Sequence, residues 1–195
     1  MTVPDSYSVL FNPQETGDAL YEIVEQRDLG AAHAGGQAQL DSIGGGMIFE
    51  TENPRVLRHI RTKEILVKTI PQRWHEQLRG VILDANKTGE PVEEIRRRLQ
   101  EKFTHYKGWE ARRIAQTETI GAYNVGGFSG IEQAEIEEKE WVSTIDDLTR
   151  DSHIAIDGEK QPTKQPFSNG LMYPGDASGE PAEVINCRCA VIAAV

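Results

Sequence analysis

Cysteine is scarce in this chain: there are two among 195 residues, Cys187 and Cys189, with one residue between them. A pair so close cannot easily bridge to itself, so no disulfide framework holds the fold and nothing argues for an oxidising compartment. Long apolar runs are missing as well. None approaches the ~20 residues of a membrane-spanning helix, and Met1 to Asp5 do not read as a secretory signal. No membrane partner and a cytoplasmic setting are therefore expected. Hydrophobic residues make up only 38% of the chain, which leaves part of it too polar to join a core. A basic excess is also lacking. The formal net charge is −10, unlike that of a general nucleic-acid binder.

The charge that is present is segregated. Residues 1–52 sum to −8, residues 53–113 to +7 and residues 114–195 to −9. Such a pattern suits docking against other proteins, where opposed patches orient the encounter. Glycines at positions 30, 35, 36 and 44–46 would order only at high entropic cost, so residues 1–46 are expected to form a flexible or partner-dependent arm. Within it a short helix is predicted near residues 17–28. Asn53 followed by Pro54 is a helix start, with an N-cap and then proline in the first turn. Further helices are predicted from Pro71, from Pro91 and from Trp109, on apolar stripes of helical spacing. Residues 132–140 read as an acidic helical end. Residues 140–144 read as a short strand, His153 sits on a helical turn, and a last strand begins at Cys189. Helices first and a small sheet afterwards make the fold α+β, a helical N-terminal half packed on a small antiparallel β-sheet.

Four groups of residues carry possible chemistry. The first unites Asp146, Arg150, His153 and Asp157 with Asn186, Cys187, Arg188 and Cys189, from the two ends of the last third. Alternation along a strand lets Cys187 and Cys189 share a face. Three readings stay open for this group. Arg150 and His153 pair with Asp146 and Asp157 above packed thiols; or His153, Asp157, Cys187 and Cys189 ligate zinc; or a thiol acts as a nucleophile, with no oxyanion-hole glycine motif to support it. The second group is Arg113, Thr117 and Glu118 on one helix, with Glu118 expected to be buried against an arginine such as Arg150. A nucleotide-binding role for this face would need a phosphate-cradling glycine loop, which the sequence does not offer. The third is Arg96, Arg97, Arg98 and Lys102, a basic run that either is a solvated helix face or touches DNA or an acidic protein surface. The fourth is His33, a lone histidine in the glycine-rich arm with no partner in sequence.

The run from Arg113 to Thr119, Asn124 after it, Trp141 to Thr144, Asp146, Arg150, His153, Asp157, Gly158, Phe167, Pro174 and Asn186 to Cys189 resembles, in order, the phage Mu F-like head morphogenesis family. The resemblance covers about residues 53–195, and the family domain is set at 47–195. It implies a minor head protein of a tailed bacteriophage or prophage, associated with the portal and acting in capsid assembly, DNA packaging or DNA delivery. Its partners would be the portal and other head proteins, with packaged DNA as a further candidate. Its place would be the virion head, and the host cytoplasm during assembly. No cofactor and no enzymatic activity are implied. The alternative is a Cys/His-dependent or zinc-dependent enzyme on His153, Asp157, Cys187 and Cys189. Some relatives have Cys-x-x-Cys where this chain has Arg150 and His153, so a four-cysteine zinc site is unavailable and packed thiols are the expectation. Others have His-Pro at Val184 and Ile185, and an arginine at Leu148.

Overall fold

The computed structural model describes residues 13–50, 52–88 and 90–195. Three long helices come first: α1 (Pro13–Ile43), α2 (Pro54–Thr88) and α3 (Val92–Gln133). Then follow β1 (Glu138–Val142), a helical turn α4 (Asp151–Ile154), β2 (Lys160–Pro162), a second turn α5 (Pro181–Val184) and β3 (Ala190–Ala193). The strands form one antiparallel sheet in the order β2-β1-β3, with Glu140 opposite Lys160 on one side and Trp141 opposite Val191 on the other. The α+β expectation is met.

The chain divides into two compact units. One comprises residues up to Ile23 with Glu64–Arg112, and the other Val24–Lys63 with Arg113–Val195. In the first, Arg97 bridges Glu94 and Glu101, and Arg98 bridges Glu90 and Asp84. These are neighbours at helical spacing or across the α2–α3 turn, and each cation is matched by two carboxylates.

The second unit holds the main apolar core. Ala32 and Leu40 of α1, Phe49, Val56 and Ile60, and Val125, Phe128 and Ile131 of α3 pack with Trp141, Phe167, Tyr173, Cys187, Cys189 and Val191. The start of α2 follows from its sequence: the Asn53 side chain accepts the Arg55 N–H at 2.8 Å, and its carbonyl accepts the Leu57 N–H. The predicted breaks at Pro71 and Trp109 are absent, and α2 and α3 run through them. A proline removes one helical hydrogen bond, and a long helix can carry that loss.

Residues 24–43 also differ from expectation, since they form helix and contribute to the core rather than extending from it. Gly35 and Gly36 serve close approach. A Cβ on Gly126 would lie 1.9 Å from the Ala32 carbonyl oxygen, and one on Gly35 would lie 2.0 Å from that of Tyr123. Only glycine lets the α1 and α3 backbones touch there, and the burial this permits offsets its entropic cost. Residues 1–12 of the expected arm lie outside the described residues. The acidic end expected over 132–140 is cut short as well. Glu135 adopts φ +54° and the Ile136 N–H returns to the Ile131 carbonyl, which closes α3 and lets the chain turn into β1.

Two further features complete this unit. Strand β3 is paired with β1 on one side only, and its other edge is covered by side-chain amides. Asn124 donates to the Cys189 carbonyl at 2.9 Å and accepts the Val191 N–H at 3.0 Å. Gln39 accepts the Ala193 N–H at 3.0 Å and donates to the Val191 carbonyl. On β1, Lys139 shares the core face with Trp141 and is fully buried. Its ammonium donates to the Met172 carbonyl at 2.6 Å and lies 4.7 Å from the ring centres of both Phe128 and Phe167. Burial pushes its pKa down to about 8.

Candidate functional site

The polar cluster of the last third assembles around His153. Strand β1 ends at Val142, and Ser143 directly after it is buried. Its hydroxyl accepts the Trp141 indole N–H at 3.0 Å and donates to the His153 carbonyl at 2.7 Å. Its backbone N–H donates to Asp157 at 2.7 Å. These bonds fix the turn α4 against β1 and point the imidazole inward, edge-on to the Trp141 ring at 5.1 Å. His153 is 1% exposed. Its Nε2 lies 2.9 Å from a carboxylate oxygen of Glu183, and its Nδ1 lies 3.4 Å from Cys189 Sγ and 3.7 Å from Cys187 Sγ.

The Cys-x-Cys segment is brought there by a tight turn. Asn186 takes the left-handed conformation, φ +59°, which asparagine tolerates better than most residues. Its N–H donates to Thr117 Oγ1 at 3.0 Å, and that hydroxyl donates to the Arg113 carbonyl. The helix signature therefore seats the turn, with Thr117 at its centre and Glu118 buried beside it. Around the rim, Arg188 makes a two-pronged ion pair with Asp146, and Arg150 donates to the Ile185 carbonyl. The Arg188 guanidinium holds the Asp146 carboxyl well below the usual carboxylate range, with help from the Leu148 N–H.

The predicted residues thus come together, with their partners exchanged. Asp146 pairs with Arg188 rather than with Arg150 or His153, and Asp157 bonds the Ser143 backbone instead of a cation. Arg150, expected to face Glu118, serves a backbone carbonyl. Main-chain groups exposed by the two turns compete for these side chains, and sequence spacing does not display them. Glu183 was missed altogether. Its only signal is its position three residues before Asn186, on a turn opened by Pro181. Of the basic run, Arg97 and Arg98 are ion-paired as described, while the side chains of Arg96 and Lys102 fall outside the described residues.

Cys187 and Cys189 share one face, as alternation predicted, and both are buried. Donation from Cys187 to Cys189 dominates their chemistry, with His153 and the Thr144 N–H as further donors to Cys189. It lowers the Cys189 thiol well below its usual range and pushes Cys187 up. His153 Nδ1 and the two sulfurs lie within 4.8 Å of one another, the geometry of three metal donors, and Asp157 is not among them. The cleft over the sulfurs, between Thr144, Arg150 and Arg188, has a volume of about 10 Å³. That is room for about one water molecule.

Helices packed on a three-stranded sheet, with a His–Cys–Cys centre joining the two ends of the last third, define a small α+β domain. The chain belongs to the family of the phage Mu protein F like protein, whose model matches residues 76–192. Membership of this family makes it a phage head morphogenesis protein. No curated protein and no solved structure matches the chain. Among the described residues no helix is long and apolar enough to cross a membrane.

Proposed function

We propose that this chain is a minor head protein that binds the portal and acts, without catalysis, in capsid assembly and DNA packaging or delivery. The observation that carries the docking reading is the apolar rim of the His153 centre. Ile145 is 61% and Leu148 81% exposed, and Ile185 is also exposed, on turns held by the Arg188–Asp146 pair and by Arg150. Apolar side chains on turns fixed in this way are pre-organised, so less ordering entropy is lost when a partner covers them. The same centre argues against hydrolysis, because its thiols are buried and its cleft admits no substrate. The basic helix is a weaker candidate for DNA contact, since Arg97 and Arg98 are already neutralised by Glu94, Glu101, Glu90 and Asp84.

Co-purification with a tailed-phage portal protein tests the reading. Ile145→Asp with Leu148→Asp should weaken capture at least about tenfold, the loss of one or two buried apolar anchors, with the melting temperature unchanged. Arg97→Glu with Arg98→Glu should leave capture intact. Full binding by the first double variant would remove the rim as the docking surface. Failure of the unaltered chain to bind the portal would remove the portal reading itself.

A further inference from the structure

We infer that His153 Nδ1, Cys187 Sγ and Cys189 Sγ form a structural site for one zinc ion. A tetrahedral zinc with Zn–S near 2.3 Å and Zn–N near 2.05 Å requires nitrogen–sulfur separations of roughly 3.5–3.6 Å. The observed values of 3.4 and 3.7 Å bracket that figure. Two thiolates and one imidazole are the donor set that zinc favours, and their two negative charges balance the ion.

The surroundings have the features of a supported site. Glu183 at Nε2 completes a carboxylate–histidine–metal arrangement, which fixes the tautomer that leaves Nδ1 free to ligate. Backbone N–H groups of Cys189 and Thr144 face the sulfurs of Cys187 and Cys189, as thiolate ligands require. The cleft of about 10 Å³ accommodates a single water as the fourth ligand. Both thiols give up their protons to solvent as the ion enters, so binding strengthens with rising pH. An ion here clips the α4 turn to the Cys-x-Cys segment across a sequence separation of 34, including the long proline- and glycine-bearing loop. Its role is to hold the rim in shape.

The test uses the full-length chain purified without chelator. Elemental analysis should find one zinc per chain. Exchange for cobalt should give a thiolate-to-cobalt charge-transfer band together with the intense visible bands of a tetrahedral ion. Cys187→Ser with Cys189→Ser should lose both the metal and the band. Glu183→Gln, which keeps all three ligands and is not expected to unfold the chain, should weaken zinc affinity about 10–100-fold. Absence of zinc, together with no charge-transfer band when cobalt is added to the reduced chain, overturns the inference. So does metal that survives in the double serine variant, since it would then sit elsewhere.

Discussion

Replacing Lys139 with methionine should change the pH dependence of stability in a way few other substitutions can. The Lys139 ammonium lies between Phe128 and Phe167, and one carbonyl, that of Met172, is its hydrogen-bond acceptor. In the unfolded chain its pKa is that of an ordinary lysine, 10.5, and in the fold it falls to about 8. Between those values the unfolded state holds the proton and the folded state does not, so stability rises with pH across the window. Below pH 8 both states are charged and the whole penalty is present. At about 1.4 kcal/mol per unit, the wild type gains about 3 kcal/mol on passing from pH 7 to pH 10.5. Lys139→Met removes that gain. It also leaves the Met172 carbonyl without its donor, a loss of about 1–3 kcal/mol at every pH, while thioether contacts with the two rings return part of it. The variant should therefore be about as stable as wild type at pH 7 and clearly less stable near pH 10. Denaturant unfolding at a series of pH values, in reductant, measures the difference between the two curves. A carbon-13 titration of the Lys139 side chain should give a midpoint near 8. Parallel curves with a midpoint near 10.5 would refute the argument. Tyr173 is pushed well above its usual range, mainly by burial, and so lowers the stability of both proteins above pH 10 without affecting their difference.

Two further predictions concern the sheet edge and the helix crossing. Asn124→Ala strips two partners from β3 and should cost roughly 2–4 kcal/mol, with faster hydrogen exchange at the Val191 amide; unchanged protection there would show that the amide clamp is dispensable. Gly126→Ala forces the α1 and α3 backbones apart and should cost at least roughly 1–3 kcal/mol. Gly30→Ala on the same α1 helix meets no atom within 4 Å and should stabilise by about 0.5–1 kcal/mol; similar melting temperatures for the two alanine variants would contradict the close-approach account.

The sequence made the fold class legible because helical stripes and a short alternating segment differ in period. Cys187 and Cys189 could be placed on one face for the same reason, and the turn at His153 was visible beside Asp157 and Gly158. What stayed hidden was set by packing between distant segments. Gly35 and Gly36 of α1 look like linker until α3 supplies Gly127 and Gly130 to meet them. Lys139 is polar by type but occupies a core position, two residues from Trp141, which only the strand period betrays. Glu183 carries no local mark, because the need it meets is the orientation of an imidazole 30 residues earlier.

The amide clamp on β3 bears on how the chain acquires its structure. Gln39 bonds Val191 and Ala193, contacts separated by 152 and 154 residues of sequence. During synthesis α1 emerges early, with its small-residue face and Leu40 ready for partners that do not yet exist. It can find its native neighbours only once α3, and then residues 189–193, have left the ribosome. Contacts so distant in sequence make folding slow, and they leave a half-made chain exposed to wrong associations. Wrong association is therefore a hazard of the nascent chain. Synonymous codon changes that pause translation before residue 189 should increase aggregation while leaving the mature fold unaltered.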